Sequence, residues 1–224
     1  MVWALVHEGS VLSRYVGVAT LAYGALAAGA VALSLMTGHG APWSMEPWMG
    51  GGRVLRIAAS LGAGAILASV VIWGTRRLVR RTRWARDLHI AFRGVLGSLS
   101  SRHILLFALL SGIAEELFFR GALLPLAGLW VSSLVFGLLH IGPSRRFLPW
   151  TGWAVAMGLA FGAIFWATGE LAGCLLAHVW INYENMHFIE AHDPEAERRP
   201  RRPTPDEPSL VGARRHRSGG LMHP

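Results

Sequence analysis

Six stretches of the chain are apolar over most of their length: residues 16–36, 57–74, 104–119, 121–141, 147–169 and 171–189. The first carries no charge, the fourth and fifth contain no Asp, Glu or Arg, and the sixth stays apolar until Glu184. The third is interrupted by Glu115 and Glu116. A helix of about 20 apolar residues crosses a hydrocarbon core of about 30 Å, and only helices satisfy the backbone internally over so many spans of this length. The pattern predicts an all-α, polytopic membrane helical bundle of about six transmembrane helices, forming a single transmembrane domain over residues 1–190. Gly158 and Gly162 make a GxxxG pair in the fifth stretch, which predicts close helix packing there. The sequence shows no internal repeat.

The basic residues fix an orientation. Arginines crowd the connector between the second and third stretches, the short loop between the fourth and fifth (Arg145, Arg146) and the C-terminal tail. The alternate loops, 37–52 and 168–170, hold none. That alternation follows the positive-inside rule at every turn and predicts a multi-pass protein of the cell inner membrane with both termini cytoplasmic. The first fourteen residues contain Glu8 and a single Arg, so they lack a basic signal-peptide start and the apolar stretch after them is expected to be retained. Residues 191–224, rich in Pro, Arg and acidic residues, read as a disordered basic cytoplasmic tail. The Arg-rich connector is expected to lie along an anionic membrane surface.

Composition narrows the class further. The chain has 224 residues, 53% of them hydrophobic, and a mean hydropathy of +0.41, which places it among membrane proteins. Its net charge is +8 and every basic residue is Arg; with abundant Ala and Gly, Arg-only usage points to a GC-rich bacterial genome. The high charge is not a nucleic-acid footprint, because the arginines flank apolar stretches instead of striping one face of a soluble domain. The one cysteine, Cys174, lies in an apolar run and reads as a packed small residue; neither a disulfide nor a CxxC metal site is possible.

Three polar clusters interrupt the apolar sequence: SGIAEELFFRG with Glu115, Glu116 and Arg120; FGLLH with Phe136 and His140; and AHVWIN with His178 and Asn182. An ionised Asp or Arg near the centre of a spanning helix costs about 2.5–3.5 kcal/mol on insertion scales, so such groups need a partner or a function. Glu116 and Arg120 stand i, i+4 in the favourable order for an ion pair, which leaves Glu115 without a partner on its own helix. His178 and Asn182 also share one helix face. Depth follows from the turns. Punctuation places a turn at residues 125–128, midway between positions 115 and 140. At about 1.5 Å per residue, Glu115 and His140 then lie level, roughly 19 Å from that turn. Asn182 lies roughly as far from the turn at 168–170, with His178 one helical turn above. The four polar side chains therefore converge.

A carboxylate and an imidazole at one level can polarise a water between them, and a second His beside an Asn amide supplies donors for the oxyanion of a tetrahedral intermediate. The set reads as water-mediated amide hydrolysis, with no Ser, Cys or Asp required. EExxxR, FxxxH and HxxxN in this order on successive late spans resemble the three motifs of the CAAX-protease and bacteriocin-processing family, glutamate-dependent intramembrane endopeptidases that include the Ras-converting CAAX endopeptidase. The likeness covers roughly residues 100–189. It implies that Glu115 and His140 activate water, that His178 and Asn182 stabilise the oxyanion, and that Glu116 and Arg120 hold the first motif in place. It calls for no cofactor and no metal. The partners it implies are the lipid bilayer and a peptide or protein substrate in or at the membrane, in a bacterium a membrane peptide, leader or C-terminal sorting segment; nucleic acid is not among them.

Three other functions compete. A zinc-dependent protease could use two His and a Glu, but the HExxH arrangement is absent. A non-catalytic membrane adaptor of the same fold would have no need of the intact first and third motifs. An ion or proton transporter would show broken helices in repeated halves. Glu170, Glu184, His187 and Glu190 read as interfacial residues, and His89 and His103 as parts of the basic connector.

Overall fold

The computed structural model describes residues 2–196, with side chains from Tyr15 onward. Helices follow one another in the order α1 (Val2–Met36), α2 (Arg53–Arg81), α3 (Arg83–Leu96) and α4 (Ser101–Glu115). A π-helical segment (Glu116–Leu123) leads into α5 (Leu124–Leu138), and a 3-10 turn (Arg145–Phe147) precedes α6 (Leu148–Thr168) and α7 (Ala172–Ala191). Among the described residues there is no strand, only one bridge between Ser44 and Glu170. The chain is an all-α bundle. One compact unit ends at Asp193. Beyond it only residues 194–196 are described, so the tail expected to be disordered lies almost wholly outside the described residues.

Among the described residues, four helical runs are long and apolar enough to cross a membrane: Tyr15–Met36, Arg53–Arg81, Ser101–Leu138 and Arg145–Thr168. The third of these holds two of the expected spans, because it reverses at Gly128. That glycine has φ 82° and ψ 168°, a conformation open to glycine and closed to side chains with a Cβ. Beyond it the chain folds back on the π segment, where Ser132 Oγ donates to the Phe119 carbonyl (2.7 Å) and the Phe119 and Phe136 rings meet edge-on at 5.0 Å. The sixth expected span is α7. It is long enough but carries His178, Asn182, Tyr183, Glu184, Asn185, His187 and Glu190, and it packs against α2, α3, α4 and α6.

The interior is largely apolar, around Phe161, Phe165, Leu171 and Ala177, but the outside is unlike a soluble protein's. Leu21, Trp48, Trp73, Trp130 and Leu139 are exposed while Glu116 and Arg120 are sealed inside. Large apolar side chains on the outside suit a hydrocarbon solvent, and close packing through small residues holds such bundles together. At the α2–α7 crossing, a Cβ on Gly173 would lie 1.8 Å from the Ser60 carbonyl oxygen. Gly158 and Gly162 pack against Ser133 and Leu129 of α5, which locates the close approach expected from their spacing.

The ends of the bundle are fastened by polar groups. Glu170, expected to be merely interfacial, is buried and faces Arg53 Nε at 3.3 Å and Arg56 Nη2 at 3.7 Å. The loop before α2 lies over the α6–α7 turn, with Met45 N–H donating to Gly169 O and Met49 N–H to Ala167 O. At the opposite end Arg76 pairs with Glu184 at 2.5 Å. Amphipathic α3 docks on the end of α7, where Arg93 Nη1 donates to the carbonyls of Ile189 and Glu190, and His89 Nε2 to that of His192. These carbonyls are the acceptors a helix leaves without internal partners, which explains why His89, read as a connector residue, is buried.

Candidate active site

Four elements carry the polar cluster. Glu115 ends α4, Glu116 and Arg120 lie on the π segment, His140 follows the end of α5, and His178 and Asn182 project from α7. The hairpin at Gly128 brings His140 back to the level of Glu115, with Nε2 at 3.7 Å from Glu115 Oε2. On the other side His178 Nε2 lies at the same 3.7 Å from that oxygen. α4 can approach α7 this closely because Gly112 faces Val179, where a Cβ would stand 2.6 Å from Val179 Cγ2.

The π segment is a wide turn of the kind found at functional sites. At its end the Leu124 N–H bonds to Phe119 O, five residues back, and the same carbonyl accepts from Ser132 Oγ. Inside it, Arg120 Nη1 donates to Glu116 Oε1 at 2.8 Å, with both side chains at 1% exposure or less. The Arg120 guanidinium lies over the Phe136 ring at 4.3 Å and near the Phe161 ring at 5.1 Å. Such contacts are strongest where water is excluded, so Phe136 of the FxxxH motif serves as packing for the cation.

The ring nitrogens can be read from their partners. His140 Nδ1 meets the Phe136 carbonyl at 2.7 Å. A carbonyl only accepts, so Nδ1 carries the hydrogen and the neutral ring presents the Nε2 lone pair to Glu115. His178 Nδ1 meets Glu116 Oε1 at 2.6 Å, the oxygen that also takes the Arg120 hydrogen. The two adjacent glutamates therefore reach one imidazole from opposite sides. Phe161 stacks on that ring at 5.3 Å with 19° between planes.

All six residues singled out in the sequence lie in this cluster, but Asn182 has a partner the sequence did not suggest. Its Nδ2 donates to Ser111 Oγ at 3.0 Å, and Ser111 in turn donates to Phe107 O. Ser111 stands one turn before Glu115 on α4, a spacing that could have drawn notice. Tyr23 of α1 was also missed. Its hydroxyl lies near the Glu115 carboxylate, and nothing in its local sequence distinguishes it. Glu115 Oε2 has no protein hydrogen-bond partner although it is buried.

Residues 97–183 match the family described as type II CAAX prenyl endopeptidase Rce1-like. Over 90 residues the chain is 33% identical to a protein of Bacillus subtilis (strain 168) described as uncharacterized protein YpbD, an overlap of 39% of this chain and 46% of that one. The chain thus spans somewhat under half the length of that relative. No solved structure matches. The matched segment contains Glu115, Glu116, Arg120, His140, His178 and Asn182, and leaves out Tyr23.

Proposed function

Because the Rce1-like segment holds the whole polar cluster, we propose that this chain is a glutamate-dependent intramembrane endopeptidase. It would hydrolyse a peptide bond of a membrane-associated peptide or protein with a water activated by Glu115 and His140. One observation carries the reading. Glu115 Oε2 and His140 Nε2 are two acceptors facing each other at 3.7 Å, and two acceptors need a donor between them. A water about 2.8 Å from each atom donates one hydrogen to either and turns its lone pairs outward as the nucleophile. Beyond it stand His178 and Asn182, whose expected part is to stabilise the tetrahedral oxyanion, Asn182 with an amide hydrogen and His178 once its Nε2 carries a proton. An amide nitrogen has two hydrogens, and Ser111 engages one of those of Asn182. Arg120 and Glu116 tie the first motif to the bundle from inside.

The substrate is a bacterial membrane peptide, leader or C-terminal sorting segment, and the protein lies in the inner membrane with both termini cytoplasmic. Membranes of cells carrying wild-type and Glu115→Gln copies should differ in a small set of uncleaved precursors, which would name the substrate. Identical profiles would speak against a proteolytic role.

A zinc-dependent protease draws on one observation. Both imidazoles donate Nδ1–H to fixed acceptors, as the outer shell of a zinc site does. Against it, among the described residues no three His, Cys, Asp or Glu are arranged to hold a metal. Activity that persists through prolonged chelation would support the water reading, while zinc-dependent loss and recovery would favour the rival.

A further inference from the structure

Glu116 does more than pair with Arg120. Its Oε1 accepts from Arg120 Nη1 at 2.8 Å and from His178 Nδ1 at 2.6 Å, with no exposure of the carboxylate. A carboxylate held by an arginine accepts, so the His178 hydrogen sits on Nδ1. The neutral ring then turns an unprotonated Nε2 towards Glu115 Oε2, 3.7 Å away. In that state His178 cannot donate to an oxyanion. It can take up a proton, and the resulting imidazolium has a carboxylate already on its far side, the arrangement that orients the histidine of a hydrolytic triad. The stacked Phe161 ring and the Phe136 edge at 6.1 Å keep the imidazole in place.

Resting on the peptidase reading above, we propose that Glu116 is a positioning residue for His178, and that His178 is the proton carrier that serves the leaving amine. The water oxygen bonds to the carbonyl carbon as one of its O–H bonds breaks, and that proton passes to Glu115. Glu115 hands it to His178 Nε2. The imidazolium, with Nδ1–H on Glu116, gives the Nε2 proton to the amide nitrogen as the C–N bond breaks. One acid and one amine result, and both groups return to their starting states. Stabilising the oxyanion falls to the second amide hydrogen of Asn182 until His178 carries the proton.

The test uses the full chain in lipid nanodiscs, with Glu116→Ala and Glu116→Gln. In Gln the carbonyl oxygen should stay towards Arg120, so the acceptor for Nδ1–H survives and only the charge is lost. Nitrogen-15 histidine spectra in mildly alkaline buffer, with His178 identified by its loss in His178→Asn, should show hydrogen on Nδ1 in the wild type and in Glu116→Gln. Glu116→Ala should not hold that tautomer. Hydrolysis is followed with one acyl dipeptide presented as a nitroanilide and as a nitrophenyl ester, whose leaving group needs no proton. Glu116→Ala should lose about 100-fold in kcat on the anilide, with KM within about two-fold, and less than about five-fold on the ester. A wild-type His178 with hydrogen on Nε2, or equal losses on both substrates, overturns the proposal. Should the wild type cleave neither substrate, the peptidase reading fails, and the ring tautomer still decides the role of Glu116.

Discussion

Replacing Arg120 by Met removes a cation whose partners are all inside the bundle. The guanidinium has 1% exposure and holds Glu116 Oε1 at 2.8 Å, and it covers the Phe136 ring at 4.3 Å. Met keeps much of the volume, so the loss is mainly electrostatic. Breaking a buried pair by deleting one partner costs about 3–5 kcal/mol, because the other charge is left in a low-dielectric setting. Here His178 Nδ1 still donates to the abandoned carboxylate, which places the expected loss near the lower end of that range. The lost contact with the aromatic faces adds about 1–2 kcal/mol. A net loss of about 4 kcal/mol at about 2–4 °C per kcal/mol lowers the unfolding midpoint by roughly 10 °C. Glu116 Oε2 and Arg120 Nη2 lack hydrogen-bond partners within the protein, so the pair is imperfectly satisfied and its joint replacement should be milder. Thermal unfolding in detergent should therefore rank Arg120→Met below Glu116→Gln/Arg120→Met. A single variant as stable as wild type, or a double variant no better than the single, would mean that the Arg120–Glu116 pair does not carry this stability.

Gly112→Val should force α4 and α7 apart, since even a Cβ meets Val179 at 2.6 Å, and cleavage should fall at least about tenfold; unchanged cleavage would show that this crossing does not set the site. Burial holds His89 below the ordinary histidine range, the nearby Arg93 charge adding to that. The undocked state then binds the proton more readily, so docking of α3 is complete above about pH 6.5 and weakens as pH falls below it. Protection of residues 83–96, taken relative to the intrinsic exchange rate at each pH, should fall between pH 8 and 5 in the wild type and respond less in His89→Gln. Cysteines placed at Trp43 or Trp48 should label from outside, and one at Arg145 only after permeabilisation; external labelling at 145 would sink the proposed orientation.

Much of the bundle was legible because hydrocarbon is a strict solvent: apolar stretches of spanning length are dictated by it, and glycines at helix spacing mark where its helices approach closely. The turn expected at 125–128 falls on Gly128, the residue whose φ only glycine adopts readily. Level placement of Glu115 and His140 then follows from helix rise alone. Less was visible where the chain departs from ideal helix. Two adjacent glutamates on an α-helix point about 100° apart, which suggested separate tasks in separate places. The structure joins them through the two nitrogens of His178, a contact between residues far apart in sequence. Tyr23 and Ser111 were missed for a similar reason, since a hydroxyl has no periodicity of its own. Glu170 looked interfacial because Arg53 and Arg56 belong to another helix. Pairs between helices are set by tertiary packing and leave no mark in the sequence around either partner.

In the proposed reaction the Glu115 carboxylate is the base. Glu115→Gln keeps the shape of the side chain, while the proton acceptor facing His140 is lost. Purified wild-type and Glu115→Gln proteins, matched for abundance and thermal midpoint, should be compared on the precursor that accumulates in cells carrying the variant. Wild type should give product and Glu115→Gln only background, a drop of at least about 100-fold. Cleavage by folded Glu115→Gln at a rate near wild type would contradict it.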